Sequence, residues 1–212
     1  MSRLITAILC SFLFLPACQS DESEDIDKQD QEVDLNTSFE ALQNELIEPV
    51  WGVETDGEYF EIEIPKQMRE EDSLNVEASL QYAYVEKVEG EVKENYIIVL
   101  VHDKKQLKTS SKAEYTVASY NQLSVENLME GKQSYEVLEK TDKIEINGRE
   151  AVVNEIKSGI QMKNGNILDV FYMLAVIEGE KAFYQILSWT LMNQKSDFKA
   201  DMKRMIYSFK EI

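Results

Sequence analysis

Chemistry in this chain would have to start from very few groups. There is one histidine, His102, and it is followed directly by Asp103. A carboxylate beside an imidazole is the raw material of general base catalysis. Here the two residues are neighbours at the end of a strand-like run, and neighbours on a strand point to opposite faces. His102 is therefore expected to be an exposed strand-end imidazole rather than a base. No G-x-S-x-G elbow supplies a nucleophile. Zinc sites of the usual kind take several His or Cys ligands. Both cysteines, Cys10 and Cys18, stand at the start of the chain, so no metal ligand set is expected. The eight glycines sit singly at turns rather than in a phosphate-binding loop.

Carboxylates are the abundant resource, 40 against 22 basic side chains. Calcium loops of the EF-hand type need alternating Asp or Asn and a terminal Glu, a spacing that does not occur. Glu86, Glu89, Glu91 and Glu94 crowd one hairpin, and Glu70, Glu71 and Asp72 crowd a loop. Both read as solvated acidic surface, with weak divalent-ion binding as the alternative. Paired carboxylates can hydrolyse glycosides when about 5–9 Å apart across a cleft, but so many acids make some such pair inevitable. Aromatic residues on strands are chiefly packing residues. If a ligand groove exists, Tyr82, Tyr84 and Trp189 are its candidate lining.

The net charge is −18. It argues against nucleic acid or an anionic lipid surface as partner, since both repel such a chain. No cysteine follows position 18, so the folded part has neither disulfide nor thiolate. A core must hold it, and 43% hydrophobic residues suffice for one domain.

The N-terminal stretch gives Cys18 a use. Arg3 is followed by an apolar run over residues 4–15. That is the length of a secretory h-region and well short of the roughly 20 residues of a membrane span. Leu15-Pro16-Ala17-Cys18 closes it. This resembles the lipobox of bacterial lipoproteins, with Pro16 a departure from the usual small residue. The resemblance implies cleavage after residue 17 and acylation of Cys18, which would hold the chain to a membrane. Residues 18–37 are acidic and poor in apolar side chains, a disordered tether. An acidic run directly after the cysteine resembles the surface-export signal of some bacterial lipoproteins. Gln19 resembles outer-membrane sorting. The expected address is thus the bacterial envelope, as an outer-membrane lipoprotein that faces either the periplasm or the exterior.

The rest of the chain must position whatever function there is. Residues 38–56 are expected to form a docking arm, with a short helix over 38–47 and Trp51 in a loop as a packing residue. Phe60, Ile62 and Ile64 alternate with Glu61 and Glu63, a half-buried strand that Pro65 ends. Residues 79–88 and 92–101 form a hairpin around Glu89-Gly90. Tyr96 to Val101 lacks polar alternation, as in a strand covered on both faces. Residues 104–111 read as a polar loop. A helix follows, starting at Val117 or at Ser124 as N-cap and running to about Ser134. Residues 135–146 and 149–162 pair across Asn147-Gly148, and strands over 167–177 and 182–192 follow. Ser196 caps a last helix. Its Phe198, Met202, Met205, Ile206 and Phe209 make one apolar stripe, with Lys199, Lys203, Arg204 and Lys210 turned to water.

This order resembles the PsbP-like fold. The resemblance rests on the strand end Ile64-Pro65, the hairpin and helix, the Ile146-Asn147-Gly148 turn, Tyr184-Gln185-Ile186-Leu187-Ser188-Trp189-Thr190, and a closing helix ending Ser208-Phe209-Lys210. It covers residues 57–212, a PsbP-like domain. The superfamily takes in the extrinsic protein of photosystem II, a Ran-binding nuclear import factor and many bacterial lipoproteins. It implies an α+β fold, an α/β/α sandwich on a central antiparallel sheet, used for binding or assembly. No photosystem or Ran-contact motif is matched, so no functional residue carries over. The expected function is a non-enzymatic interaction or assembly module, lipid-anchored through Cys18, with a protein partner in the envelope and no cofactor. The alternative is a lipoprotein that binds a small ligand or a divalent metal.

Overall fold

The computed structural model describes residues 49–212, apart from residues 57–58, 112–113, 133 and 163. Cys18, expected to be acylated, the expected tether and the expected helix over 38–47 lie outside the described residues. Val50 to Ile212 belong to one compact unit.

Two antiparallel sheets and three α-helices make up this unit. The larger sheet has seven strands. They are β3 (Arg69–Glu70), β4 (Leu80–Val88), β5 (Glu91–Asp103), β6 (Ser134–Ile146), β7 (Arg149–Gln161), β8 (Ile167–Glu178) and β9 (Ala182–Leu191). Their spatial order is β3-β4-β5-β9-β8-β7-β6. The smaller sheet is β1 (Trp51–Asp56), β2 (Phe60–Pro65) and β10 (Lys210–Glu211), with β2 in the middle. This is the expected α+β architecture, with a second small sheet that the sequence did not announce.

The turns explain the hairpins. Asn147 and Gly148 have φ of 47° and 83°, and Glu89 and Gly90 have 51° and 90°. Two successive positive φ values match the right-handed strand twist, so both two-residue loops close tightly. The central strands β5, β8 and β9 are buried on both faces, as their unbroken apolar runs require.

One face of the large sheet carries Val99, Phe171, Met173, Ala175, Tyr184 and Ile186. The helix α3 (Lys195–Ser208) and strand β2 cover it with Met202, Met205, Ile206, Phe60, Ile62 and Ile64. Phe209, fully buried just past the helix, stacks on Phe60 at 5.6 Å between ring centroids and meets Tyr184 at 4.8 Å. Burying a side chain of this size stabilises by about 1.5–3 kcal/mol. The other face carries Ile156, Tyr172, Leu174, Leu187 and Trp189, covered by Leu128 and Met129 of the helix α2 (Val117–Met129). The layers are therefore helix, sheet, and helix with small sheet.

Four local expectations are corrected. Trp51 lies in strand β1, not a loop. Its strand pairs with β2 residue by residue, from Trp51 with Pro65 to Asp56 with Phe60. Residues 104–111 form helix α1 (Lys104–Ser111), capped by Asp103, whose carboxylate accepts from the N–H groups of Lys105 and Gln106. Helix α2 is capped by Thr116 in a capping box with Ser119, while Ser124 lies buried inside it and donates to the Tyr120 carbonyl. Helix α3 begins at Lys195, so Ser196 sits in its first turn. Gln194 takes the cap position and joins the helix to β5, accepting from Glu94 N at 3.0 Å and donating to Val92 O at 2.6 Å.

Candidate functional site

The register separates the aromatic residues expected to line a groove. Tyr82 stands opposite Ile97, and Ile97 opposite Ser188. Tyr96 stands opposite Trp189. Directly paired residues share a face and successive residues alternate. Tyr82 and Tyr84 therefore lie on the α3 face, and Trp189 lies on the opposite one. Tyr84 packs edge-on to Phe198 at 5.6 Å. Tyr82 sits beside Glu54 of β1, and burial together with that carboxylate pushes its phenol up to about 12. Trp189 is 8% exposed and stacks on Tyr96 at 5.1 Å. These three residues pack the two layers on either side of the sheet and do not converge.

His102 is half-buried rather than exposed. It faces Phe183 in the register, and its ring meets Tyr120 of α2 at 5.7 Å. Its Nδ1 is buried with no hydrogen-bond partner. Burial lowers its pKa, and the negative charge of Glu77 acts weakly in the other direction. Asp103 points elsewhere, to the cap of α1. Imidazole and carboxylate thus serve separate structural roles. Among the described residues, no group of three or more His, Cys, Asp or Glu side chains is placed to hold a metal ion.

The feature that stands out is on α3. Met192, Lys195, Ser196, Lys199, Ala200 and Lys203 line an open depression of about 640 Å³. The helical period creates it. Lys195, Lys199 and Lys203 fall at i, i+4 and i+8, on the flank of α3 beside its apolar stripe. Ala200 leaves room between the long side chains.

Beneath the lysines lies Glu155 of β7, 8% exposed. It stands opposite Met173 on the core-facing side of the sheet. A buried carboxylate there needs partners, and α3 supplies two. Lys195 Nζ lies 3.2 Å from Oε2 and Lys199 Nζ 2.6 Å from Oε1. Burial alone would raise the Glu155 pKa, but hydrogen bonds from Lys199 and Lys195 outweigh it and hold the carboxyl below its ordinary range. Lys195 also sits over the Phe171 ring at 4.4 Å. Lys203 lies over the half-exposed Tyr207 ring at 5.5 Å and has no ion-pair partner among the described residues.

The other flank of α3 is tied down. Arg204 pairs with Glu63 at 3.0 Å and covers Trp51 at 4.1 Å, and Lys93 pairs with Asp197. Just beyond the helix, Lys210 reaches Glu61 at 3.4 Å. Lys203, Arg204 and Lys210 are turned to water as expected, whereas Lys199 is partly buried; Lys199, Arg204 and Lys210 each also bind a specific carboxylate. Glu155 was missed in the sequence. Its only signal is a charged residue in the middle of the β7 run Val152-Val153-Asn154-Glu155-Ile156.

The fold is shared with solved structures. The Ran-binding protein Mog1p of Saccharomyces cerevisiae is similar at 16% identity over 77% of this chain and 96% of that one, with a TM-score of 0.51. A mutant of Mog1 is similar at 15% identity over 77% of this chain and 95% of that one, with a TM-score of 0.50. Cyanobacterial PsbP from Synechocystis sp. PCC 6803 is similar at 13% identity over 77% and 92% of the two chains, with a TM-score of 0.46. No protein-family model matches the chain, and no curated protein matches it by sequence. At these identities the likeness to the two Mog1 structures establishes the fold alone, which is that of Mog1.

Proposed function

We propose that this chain is a lipid-anchored protein of the bacterial envelope that acts as a non-catalytic interaction module. The observation that carries the reading is the open depression on α3. It is open, lined by three lysines with Met192, Ser196 and Ala200, and it lies on the surface of a chain whose net charge is −18. Such a face suits contact with another macromolecule better than enclosure of a small substrate. The fold supports it, since Mog1p is a Ran-binding protein.

The anchor supplies the location. The run Leu15-Pro16-Ala17-Cys18, with the acidic stretch after it, supports acylation of Cys18 as the mature N-terminus. Among the described residues no helix is long and apolar enough to cross a membrane. On this reading the lipid provides the attachment. Two acyl chains hold stably where one holds marginally. Replacing Cys18→Ser is expected to move the chain from the membrane fraction to the soluble fraction. A Cys18→Ser chain that stays with the membrane would refute the anchor.

A further inference from the structure

We infer that the Lys195–Lys199–Lys203 flank of α3 is a docking strip for an acidic segment of a protein partner. This inference rests on the interaction-module reading and names the chemistry of the partner. Three observations carry it.

The first is local charge against global charge. Each lysine stands four residues of helix from the next, and together they line a single depression. Acids outnumber bases almost two to one in the chain, yet among the described residues the rim of this depression carries no acidic side chain, Glu155 lying beneath it. At physiological salt the screening length is about 8 Å. An approaching acidic segment therefore feels the strip and is largely shielded from the rest of the surface.

The second is shape. Eight residues of helix at about 1.5 Å each set the outer lysines about 12 Å apart. The ammonium groups of Lys195 and Lys199 both turn to Glu155, and that of Lys203 stands apart over Tyr207. Charge divided in this way along a helix matches carboxylates spaced along a peptide. A single phosphate would call for convergent donors, arginine forks or backbone N–H groups. Met192, Ala200 and the exposed edge of Tyr207 supply apolar contact between the charges.

The third is Glu155. It holds Lys195 and Lys199 in place at 3.2 and 2.6 Å and neutralises part of their charge. It is an internal stand-in for the carboxylates of the partner. Glu139, opposite Glu155 in the β6–β7 register, is exposed at the border of the strip and makes no ion pair with these lysines among the described residues. Among the described residues Lys203 meets only the Tyr207 ring and no carboxylate, so its charge is available to a ligand.

The test is binding of a fluorescein-labelled poly-L-glutamate peptide to the full chain near 0.15 M salt, read by anisotropy. The strip predicts measurable binding. Lys199→Gln with Lys203→Gln should weaken it by about tenfold, the worth of two exposed ion pairs. Glu155→Gln should tighten it severalfold, because it frees two ammonium groups; a merely structural Glu155 predicts no gain. Lys203→Gln alone breaks no ion pair and keeps the test valid if Glu155→Gln unfolds the chain. Absence of binding, or equal binding by wild type and the double variant, overturns the proposal. So does strip-dependent binding to phosphatidylglycerol vesicles without binding to the peptide, which would make the ligand a lipid headgroup. If the double variant still recovers the same protein partner from membranes as wild type, the strip is refuted and the interaction reading stands. If wild type binds the peptide but recovers no partner, the interaction reading fails instead.

Discussion

Glu155 on strand β7 and Lys199 on helix α3 meet at 2.6 Å, Oε1 to Nζ, at the edge of the main core. The contact joins two elements distant in sequence and fixes the rotation of the helix on the sheet. It also sets the charge of the depression above it, so one ion pair serves both packing and surface chemistry.

The pair makes stability depend on acid. The folded Glu155 carboxyl titrates below its ordinary range, whereas in the unfolded chain it titrates near 4.5. A depressed carboxyl contributes stability that is fully present above the unfolded pKa. That contribution is lost as pH falls through the folded pKa. Glu155→Gln should therefore cost about 1 kcal/mol at pH 7, in the range of a well-placed ion pair. The difference from wild type should shrink as pH drops below 4.5. Urea unfolding at pH 7 and pH 3 reads it, and an equal difference at both would contradict the role.

His102 acts in the same direction from a different cause. Burial lowers its folded pKa, so between the folded and unfolded values the unfolded chain binds a proton that the folded one refuses. Stability then falls as pH drops through about 6.5, and stops falling below the lowered folded value. Nδ1 makes no hydrogen bond, so His102→Phe forfeits none at that atom. The variant should match wild type at pH 8 and lose less stability between pH 7 and 5. Thermal melts across that range decide it, and parallel curves would rule the effect out.

Much of this framework was legible in the sequence. Asn147-Gly148 and Glu89-Gly90 announced their hairpins because two-residue turns demand particular backbone angles, which few residues adopt. The stripe from Phe198 to Phe209 announced α3 because burial of one helix face leaves a period. Strand β1 was hidden, since Trp51 to Asp56 has weak alternation and exists by virtue of its partner β2. Helix α1 was hidden because its residues are polar and its start depends on the Asp103 cap. The aromatic candidates failed for a different reason. Whether Tyr82, Tyr84 and Trp189 share a face depends on inter-strand register, which a single strand does not encode. Glu155 likewise gained meaning only when α3 lay across it.

A second buried polar pair sets the rigidity of the opposite layer. Asn154 donates from Nδ2 to Asn121 Oδ1 at 2.6 Å, and both side chains are buried. Asn121→Ala should cost about 1–3 kcal/mol, because it strands a buried amide. Replacing both by Leu should cost less than Asn154→Leu alone, since no half-satisfied partner remains. Urea midpoints for the single and double variants test the coupling, and strict additivity would show that the bond is immaterial.

The central claim is that this chain holds another protein. Native mass measurement of the full chain, solubilised from its host cells in detergent, tests it most directly. The account predicts a complex of the chain with a second, different polypeptide at whole-number stoichiometry, dissociating as salt is raised. A chain that emerges alone at every salt concentration, or that carries only a small molecule, would contradict it.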